Sequence, residues 1–388
     1  MQRNRMQPRH NWCSRAKELG FHFHTIDGEP YWDESACYRF TLQQIERDIE
    51  DPTAEIHGMC LELVDEVVKS DRLMRKLALP EAHWDLIRTS WRDGEPSLYG
   101  RIDLAYDGVN PAKLYEYNAD TPTSLYETGF FQWIWLEECK SLGQLPPEAD
   151  QFNSLQEALI ERLAYLGVAG KPLHIACTRG HDEDRGTISY LADLATQAGL
   201  SPVELYMDDI GLSGAGRFVD LEDKPIDQLF KLYPWEWIWE EAFATSIATA
   251  GTQFIEPPWK AILSNKGILP LLWERHRGHP NLLPAWFTTD EMGTRQQATR
   301  WVRKPFFSRE GANIQVETPQ GVETSVEGPY DSGPHIFQAW HPPTQFAGHF
   351  TLIGSWLVGR DAVGMSIRED DTAITRDSSR FVPHCIIG

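Results

Sequence analysis

No apolar run in the 388-residue chain approaches the roughly eighteen residues needed to span a bilayer. The opening stretch, Met1 to Asn11, is polar and carries no apolar signal-peptide core. A protein without membrane contact, resident in the cytoplasm, is expected. Positive charge is also scarce: 36 Lys and Arg stand against 57 Asp and Glu, a net charge of −21. Such a surface lacks the basic face that nucleic-acid phosphates require and attracts cations instead. The six cysteines, Cys13, Cys37, Cys60, Cys139, Cys177 and Cys385, are scattered with no zinc-knuckle or dithiol spacing, so free thiols are expected. Internal repeats, low-complexity tracts and a glycine-rich dinucleotide fingerprint are all missing.

Apolar and aromatic residues are plentiful, at 41% and 11% with 15 tryptophans, which implies a packed globular chain. The length suits two to three domains. Thr41 and Gln44 have capping-box spacing, and Leu42, Ile45 and Ile49 fall near one face, predicting a helix that Asp51-Pro52 ends. A second helical segment is expected over 53–79, and Pro80 opens a third that carries Trp84, Ile87 and Trp91. Period-two alternation over 99–106 and 113–118, around Asp107-Gly108 and Asn110-Pro111, predicts a β-hairpin. Residues 173–177, 185–198 and 203–207 read as a β-α-β unit. Trp235, Trp237 and Trp239 read as packed helix, and the last third reads as strands at 301–305, 314–317, 335–340, 351–358 and 363–368.

Four residues of the hairpin carry the first chemical signal. Residues two apart share a strand face, so Arg101 pairs with Asp103 and Glu116 with Asn118. With the turn centred between Val109 and Asn110, Asp103 lies opposite Glu116 and Arg101 opposite Asn118. Facing carboxylates destabilise a sheet unless a cation intervenes. A hard ion such as Mg²⁺ would serve, and so would Arg101 on a solvated face; a register off by one would remove the conflict. The second signal is Arg303-Lys304-Pro305 followed by Ser308-Arg309-Glu310-Gly311, a strand end and small-residue loop suited to anions, or else an exposed hairpin tip. Lys266, beside small residues at a helix start, is either a second phosphate ligand or a solvated lysine. Arg368, next to Glu369, Asp370 and Asp371, fits either a phosphoryl-transfer site or a charged turn. A cysteine-hydrolase reading through His174, Cys177, His181, Asp182 and Asp184 has no local signature behind it.

Taken together, Tyr99 to Asp103, Leu114 to Ser124, Ile255 to Pro257, Ser264 to Pro270, Arg303 to Gly311, Ile353 to Ser355 and Ile367 to Asp370 resemble the synthetase domain of glutathionylspermidine synthases, from about Asn11 to Gly388. The closest resemblance is to stand-alone synthetase-like members, since the chain has no room for the amidase domain of the bifunctional enzymes. The resemblance implies an α+β class: an ATP-grasp fold with a pre-ATP-grasp-like α/β domain and a helical N-terminal layer. On that reading residues 1–145 hold the helices and hairpin, 146–258 the pre-ATP-grasp-like domain and 259–388 the nucleotide-binding region.

It further implies an ATP- and Mg²⁺-dependent carboxylate-amine ligase that works through an acyl phosphate. Asp103, Glu116 and Asn118 would bind Mg²⁺, and Arg101 and Arg368 would serve catalysis. Lys266, Lys304, Ser308, Gly311 and Gln338 would hold the nucleotide. Thr121, Thr123, Glu183 and Asp184 would contact a peptide-like acid and an amine or polyamine. The Tyr233-Pro234-Trp235 segment departs from the family pattern, so glutathione and spermidine themselves are not assumed. The alternative within the same fold is a nucleotide- or polyamine-binding protein without turnover. The oligomeric state is left open.

Overall fold

The computed structural model describes every residue except 27, 169, 298, 331, 377 and 378. Along the chain come strands β1 (Gln2–Arg5) and β2 (Ala36–Phe40), helices α1 (Asp51–Val68), α2 (Asp71–Lys76) and α3 (Trp84–Arg92), and the hairpin β3 (Tyr99–Ala105) with β4 (Lys113–Asn118). Next are helix α4 (Leu155–Leu166), strand β5 (Pro172–Cys177), helix α5 (Asp182–Gln197), and strands β6 (Ser201–Tyr206), β7 (Gln228–Leu232) and β8 (Gln253–Ile255). The last third holds β9 (Ala285–Trp286), β10 (Trp301–Pro305), β11 (Gln315–Thr318), β12 (Gly321–Ser325), β13 (His335–Ala339), β14 (His349–Val358), β15 (Asp361–Asp370), β16 (Arg380–Phe381) and β17 (His384–Ile386).

Three sheets build the site. In the first, the order β16-β15-β14-β3-β4 pairs the hairpin with two long late strands. The second has the order β9-β13-β10-β11-β12, and β12, at its end, is exposed along its whole length. The third, β8-β7-β5-β6, is parallel throughout, with α5 crossing over between β5 and β6. A further small sheet, β1-β2-β17, joins early and late segments, so the N-terminal region is not purely the helical layer expected.

Helix α1 shows why the core closes. Ile56, Met59, Cys60, Leu63, Val64 and Val67 recur at helical spacing and are buried with Ile102, Leu104 and Leu114 of the hairpin and with Ile353, Leu357 and Met365 of β14 and β15. A second apolar cluster packs Leu159, Leu163, Leu191 and Leu194 against Leu173 and Ile175 of the parallel sheet. No helix among the described residues is long and apolar enough to cross a membrane.

Two expectations about helices need correction. Thr41 and Gln44 do form a reciprocal capping box, but the helix is not ended at Asp51-Pro52. It widens into a turn of π-helix over Glu46–Glu50, and Pro52 sits in the first turn of α1, where a missing N–H is tolerated. The segment 53–79 is likewise two helices, since the Ser70 hydroxyl accepts from the Leu73 N–H and restarts the chain as α2.

Candidate active site

The hairpin register is the one its turn implies: Asp103 pairs with Glu116 and Arg101 with Asn118, with a bulge between Asp103 and Leu104. Across β3, β14 places Gly354 beside Asp103 and Trp356 beside Arg101. Partners in adjacent strands share a face, so Arg101, Asp103, Glu116, Asn118, Gly354 and Arg368 stand on one side of the first sheet. Gly354 is small for a reason. A Cβ there would meet the Arg101 Cδ at 2.7 Å and the Ser366 Oγ at 2.9 Å.

Over this floor lies a cavity of about 260 Å³. Its roof is one face of the second sheet, carrying Val302, Lys304, Val316 and Gln338. Its third wall is the C-terminal edge of the parallel sheet and the segments that follow, with Thr178, His181, Glu183, Asp184 and Trp237. Arg101, Asp103, Glu116, Asn118, Thr121, Thr123, Glu183, Asp184, Lys304, Gly311, Gln338 and Arg368 all line this one space. Lys266 and Ser308 stand just behind it. The Lys266 Nζ lies 3.1 Å from a Glu116 oxygen and donates to the Ser308 carbonyl at 2.5 Å.

Charge is closely interleaved here. The Arg101 guanidinium forks onto Asp103 at 2.7 and 3.1 Å and donates to the Thr123 carbonyl at 3.1 Å. Arg368 reaches the same carboxylate at 3.3 Å, and the Asn118 amide donates to Asp103 at 3.1 Å and to Glu116 at 3.3 Å. Burial and the neighbouring Arg101 both lower the Arg368 pKa. Burial pushes the Glu116 carboxyl up, but Lys266 and Lys304 pull it down further, to about 2, so it stays ionised. Lys304 donates to the Tyr115 carbonyl at 3.0 Å, and burial brings its ammonium down to about 8 against the pull of Glu116. Gln338 donates to the Leu114 carbonyl at 3.2 Å.

Beyond the roof strand, the loop after Lys304 closes on the cavity. Gly311 has φ +73° and a Cβ there would meet the Thr375 carbonyl oxygen at 2.5 Å, so a side chain at this position is excluded twice over. Arg309 crosses to the opposite wall, pairing with Glu236 at 3.0 Å, donating to the Thr121 hydroxyl and lying over the Trp237 ring. Trp235 and Trp239 are buried, but the expected helix is only the four residues Trp235–Ile238 with Trp239 in the turn beyond it, and Trp237 is 37% exposed and belongs to the cavity wall.

Near the acidic end of the cavity, but outside its lining, stands Glu127, a buried residue that sequence reasoning missed. Burial, with Glu183 adding repulsion, raises Glu127 to about 8; burial and Glu183 likewise raise Asp184 to about 6. Glu127 accepts from the Tyr31 hydroxyl at 2.9 Å with one oxygen, and the other oxygen has no partner among the described residues. The cysteine-hydrolase reading lacks its nucleophile, although His181 and Asp184 line the same cavity. Cys177 is buried with its thiol pushed up to about 12, and His174 lies 3.4 Å from Asp220 instead.

For a divalent ion, the donors at hand are two carboxylates and an amide. Among the described residues, no cluster of three or more His, Cys, Asp and Glu side chains offers an alternative. An ionised Glu116 beside Asp103 and Asn118 fits a hard, oxygen-seeking ion that completes its shell with water and phosphate.

Comparison with known proteins follows the same lines. A protein of Haemophilus influenzae named "Putative acid--amine ligase" is 44% identical over 383 residues, 95% of each chain. The trypanothione synthetase of Crithidia fasciculata is 28% identical over 84% of this chain, which spans 53% of that protein. The bifunctional glutathionylspermidine synthetase/amidase of Escherichia coli is 25% identical over 97% of this chain, which spans 63% of that protein. Among solved structures, a glutathione synthetase-like effector of Globodera pallida in its apo form superposes with a TM-score of 0.57 at 12% identity, covering 90% of this chain and 89% of its own. The fold is therefore a mixed helix-and-sheet one shared with glutathione synthetase-like proteins. The family model described as glutathionylspermidine synthase preATP-grasp matches residues 3 to 387, so the chain belongs to that family.

Proposed function

We propose that this protein is an ATP-dependent C–N ligase of the ATP-grasp type, joining a peptide-like carboxylic acid to an amine or polyamine through an acyl phosphate. The observation that carries the reading is one cavity in which an ionised Glu116 and the neighbouring Asp103 side chain face Arg101, Lys304 and Arg368, with Lys266 behind.

A carboxylate is a poor acyl donor until phosphorylated, and the catalysis needed is mostly positioning and neutralisation of phosphoryl charge. Lys304 on the roof and Lys266 behind Glu116 would hold nucleotide phosphates, and Gln338 would meet the base. Arg101 and Arg368, which converge on Asp103 from two strands, would orient the acid and spread charge on the transferring group. Asp103, Glu116 and Asn118 would hold Mg²⁺, which supplies charge neutralisation to the phosphate oxygens. Thr121 and Thr123, which line the cavity, would contact the acid. Glu183 and Asp184 present an acidic end to a cationic amine, with Glu127 buried nearby, and the amine's arrival favours the ionised form of Asp184. Arg309, anchored to Glu236 on the far wall, holds the Ser308–Gly311 loop over the cavity, where water would otherwise hydrolyse the activated acid.

ADP release and amide formation, measured by mass spectrometry over a panel of acids and amines, test the proposal. Glu116→Ala and Lys304→Ala are each expected to lose about 10²- to 10³-fold in turnover. Full turnover in both variants, or nucleotide binding with no amide across the panel, overturns it.

A further inference from the structure

The parallel sheet ends beside a second hollow that the ligase reading leaves unused. It encloses about 400 Å³ and shares Thr178 with the first cavity. Its back wall is Leu229 of β7 and Phe254 of β8, paired in register on one sheet face. Phe218, Ile238 and Ile247 cover that face from the connecting segments. Only the rim is polar: Arg179 pairs with Asp208 at 3.1 Å, and the Tyr233 hydroxyl donates to Glu241 at 2.6 Å.

The place matters as much as the lining. Thr178, Met207 and Tyr233 directly follow β5, β6 and β7, so the hollow opens at the carboxyl ends of neighbouring parallel strands, where ligands of α/β sheets characteristically lie. Tyr233 and Trp237 meet edge-to-face at 5.4 Å, and Trp237 lines the first cavity while Tyr233 lines the second. Water in so apolar a space finds few hydrogen-bond partners, and Phe243 at its edge is 41% exposed. The volume is that of a small-ligand pocket, and an apolar group entering it removes exposed carbon from water on both partners.

We infer that this hollow is a specificity subsite, taking an aromatic or branched aliphatic group carried by one of the two substrates beyond the reacting centre. The inference rests on the ligase reading for its link to turnover. It refines that reading, since purely polar substrates would leave the subsite empty. Either the acid or the amine can carry the group, and the charge next to it decides which.

Two probes with the same phenyl group separate these sources: 4-phenylbutyrate and 4-phenylbutylamine, each measured by ligand-observed NMR on the full chain without nucleotide. Ring signals are expected from the parent, with affinity at least about tenfold weaker in Ala244→Trp and in Ile247→Trp, which fill the hollow. Circular dichroism and melting temperature identify any variant that fails to fold, leaving the other to decide. The tighter probe identifies the substrate that bears the group. No ring binding to the parent, or equal binding to parent and folded variants, overturns the inference. Because the measurement needs no turnover, its failure is distinct from a failure to release ADP.

Discussion

Glu127 is 1% exposed, with one oxygen bound by Tyr31 and the other without a partner among the described residues. Its ordinary value of 4.5 is raised to about 8 by burial and by Glu183, so between those values the folded chain holds a proton that the unfolded chain has released. Stability from this group is therefore complete below 4.5 and is lost as pH rises through about 8. Glu127→Gln keeps an acceptor for Tyr31 and has no proton to lose. Its melting temperature relative to the parent is expected to rise steadily from pH about 5 to about 9; a flat or falling difference refutes the assignment. The residue went unread because it sits alone in the aromatic stretch Tyr126 to Phe131, with no second acid at strand or helix spacing. The one available signal was a charge inside an otherwise apolar run. Asp103 and Glu116 were legible by contrast, since a two-residue strand period and a turn with Asp-Gly and Asn-Pro determine which side chains face each other.

Sheet geometry makes Gly354 a sensitive point at the scale of the element. Its neighbour Asp103 and the overlying Arg101 share its face, so a methyl group there displaces the guanidinium. Gly354→Ala is expected to cut kcat for ADP release at least about tenfold while costing about 1–3 kcal/mol in chemical denaturation, as overpacking does. Unchanged kcat with the same loss of stability would show that the position of Arg101 is irrelevant to turnover. Strands and the β-α-β unit were readable because their period and their glycine and proline boundaries are local. Pro52 misled because proline is tolerated in the first turn of a helix, and the π-helical turn before it leaves no sequence mark. The pairing of β14 with β3 joins residues about 250 apart in sequence, and no local pattern encodes such a partnership.

Across the whole molecule, one ion pair ties the hairpin to the parallel sheet. Lys231 of β7 meets Asp120, just past β4, at 2.6 Å with both side chains fully buried, and the other Asp120 oxygen accepts from the Trp235 N–H at 2.9 Å. The pair thereby sets Thr121 and Thr123 on one wall against Trp237 on the other. Lys231→Met strands a buried carboxylate and is expected to cost roughly 3–5 kcal/mol in urea unfolding. Adding Asp120→Asn is expected to recover part of that loss; a double variant that costs the full sum of the two singles would show the residues to be uncoupled. The terminal strand β12 has a different consequence. An exposed final strand is a template onto which a second molecule can add, and Val322 on it is 57% exposed. Glu323, held outward by Arg300, and a net charge of −21 make such stacking repulsive, so the chain's acidity also guards it against fibrils, a guard that weakens as acid neutralises the carboxylates.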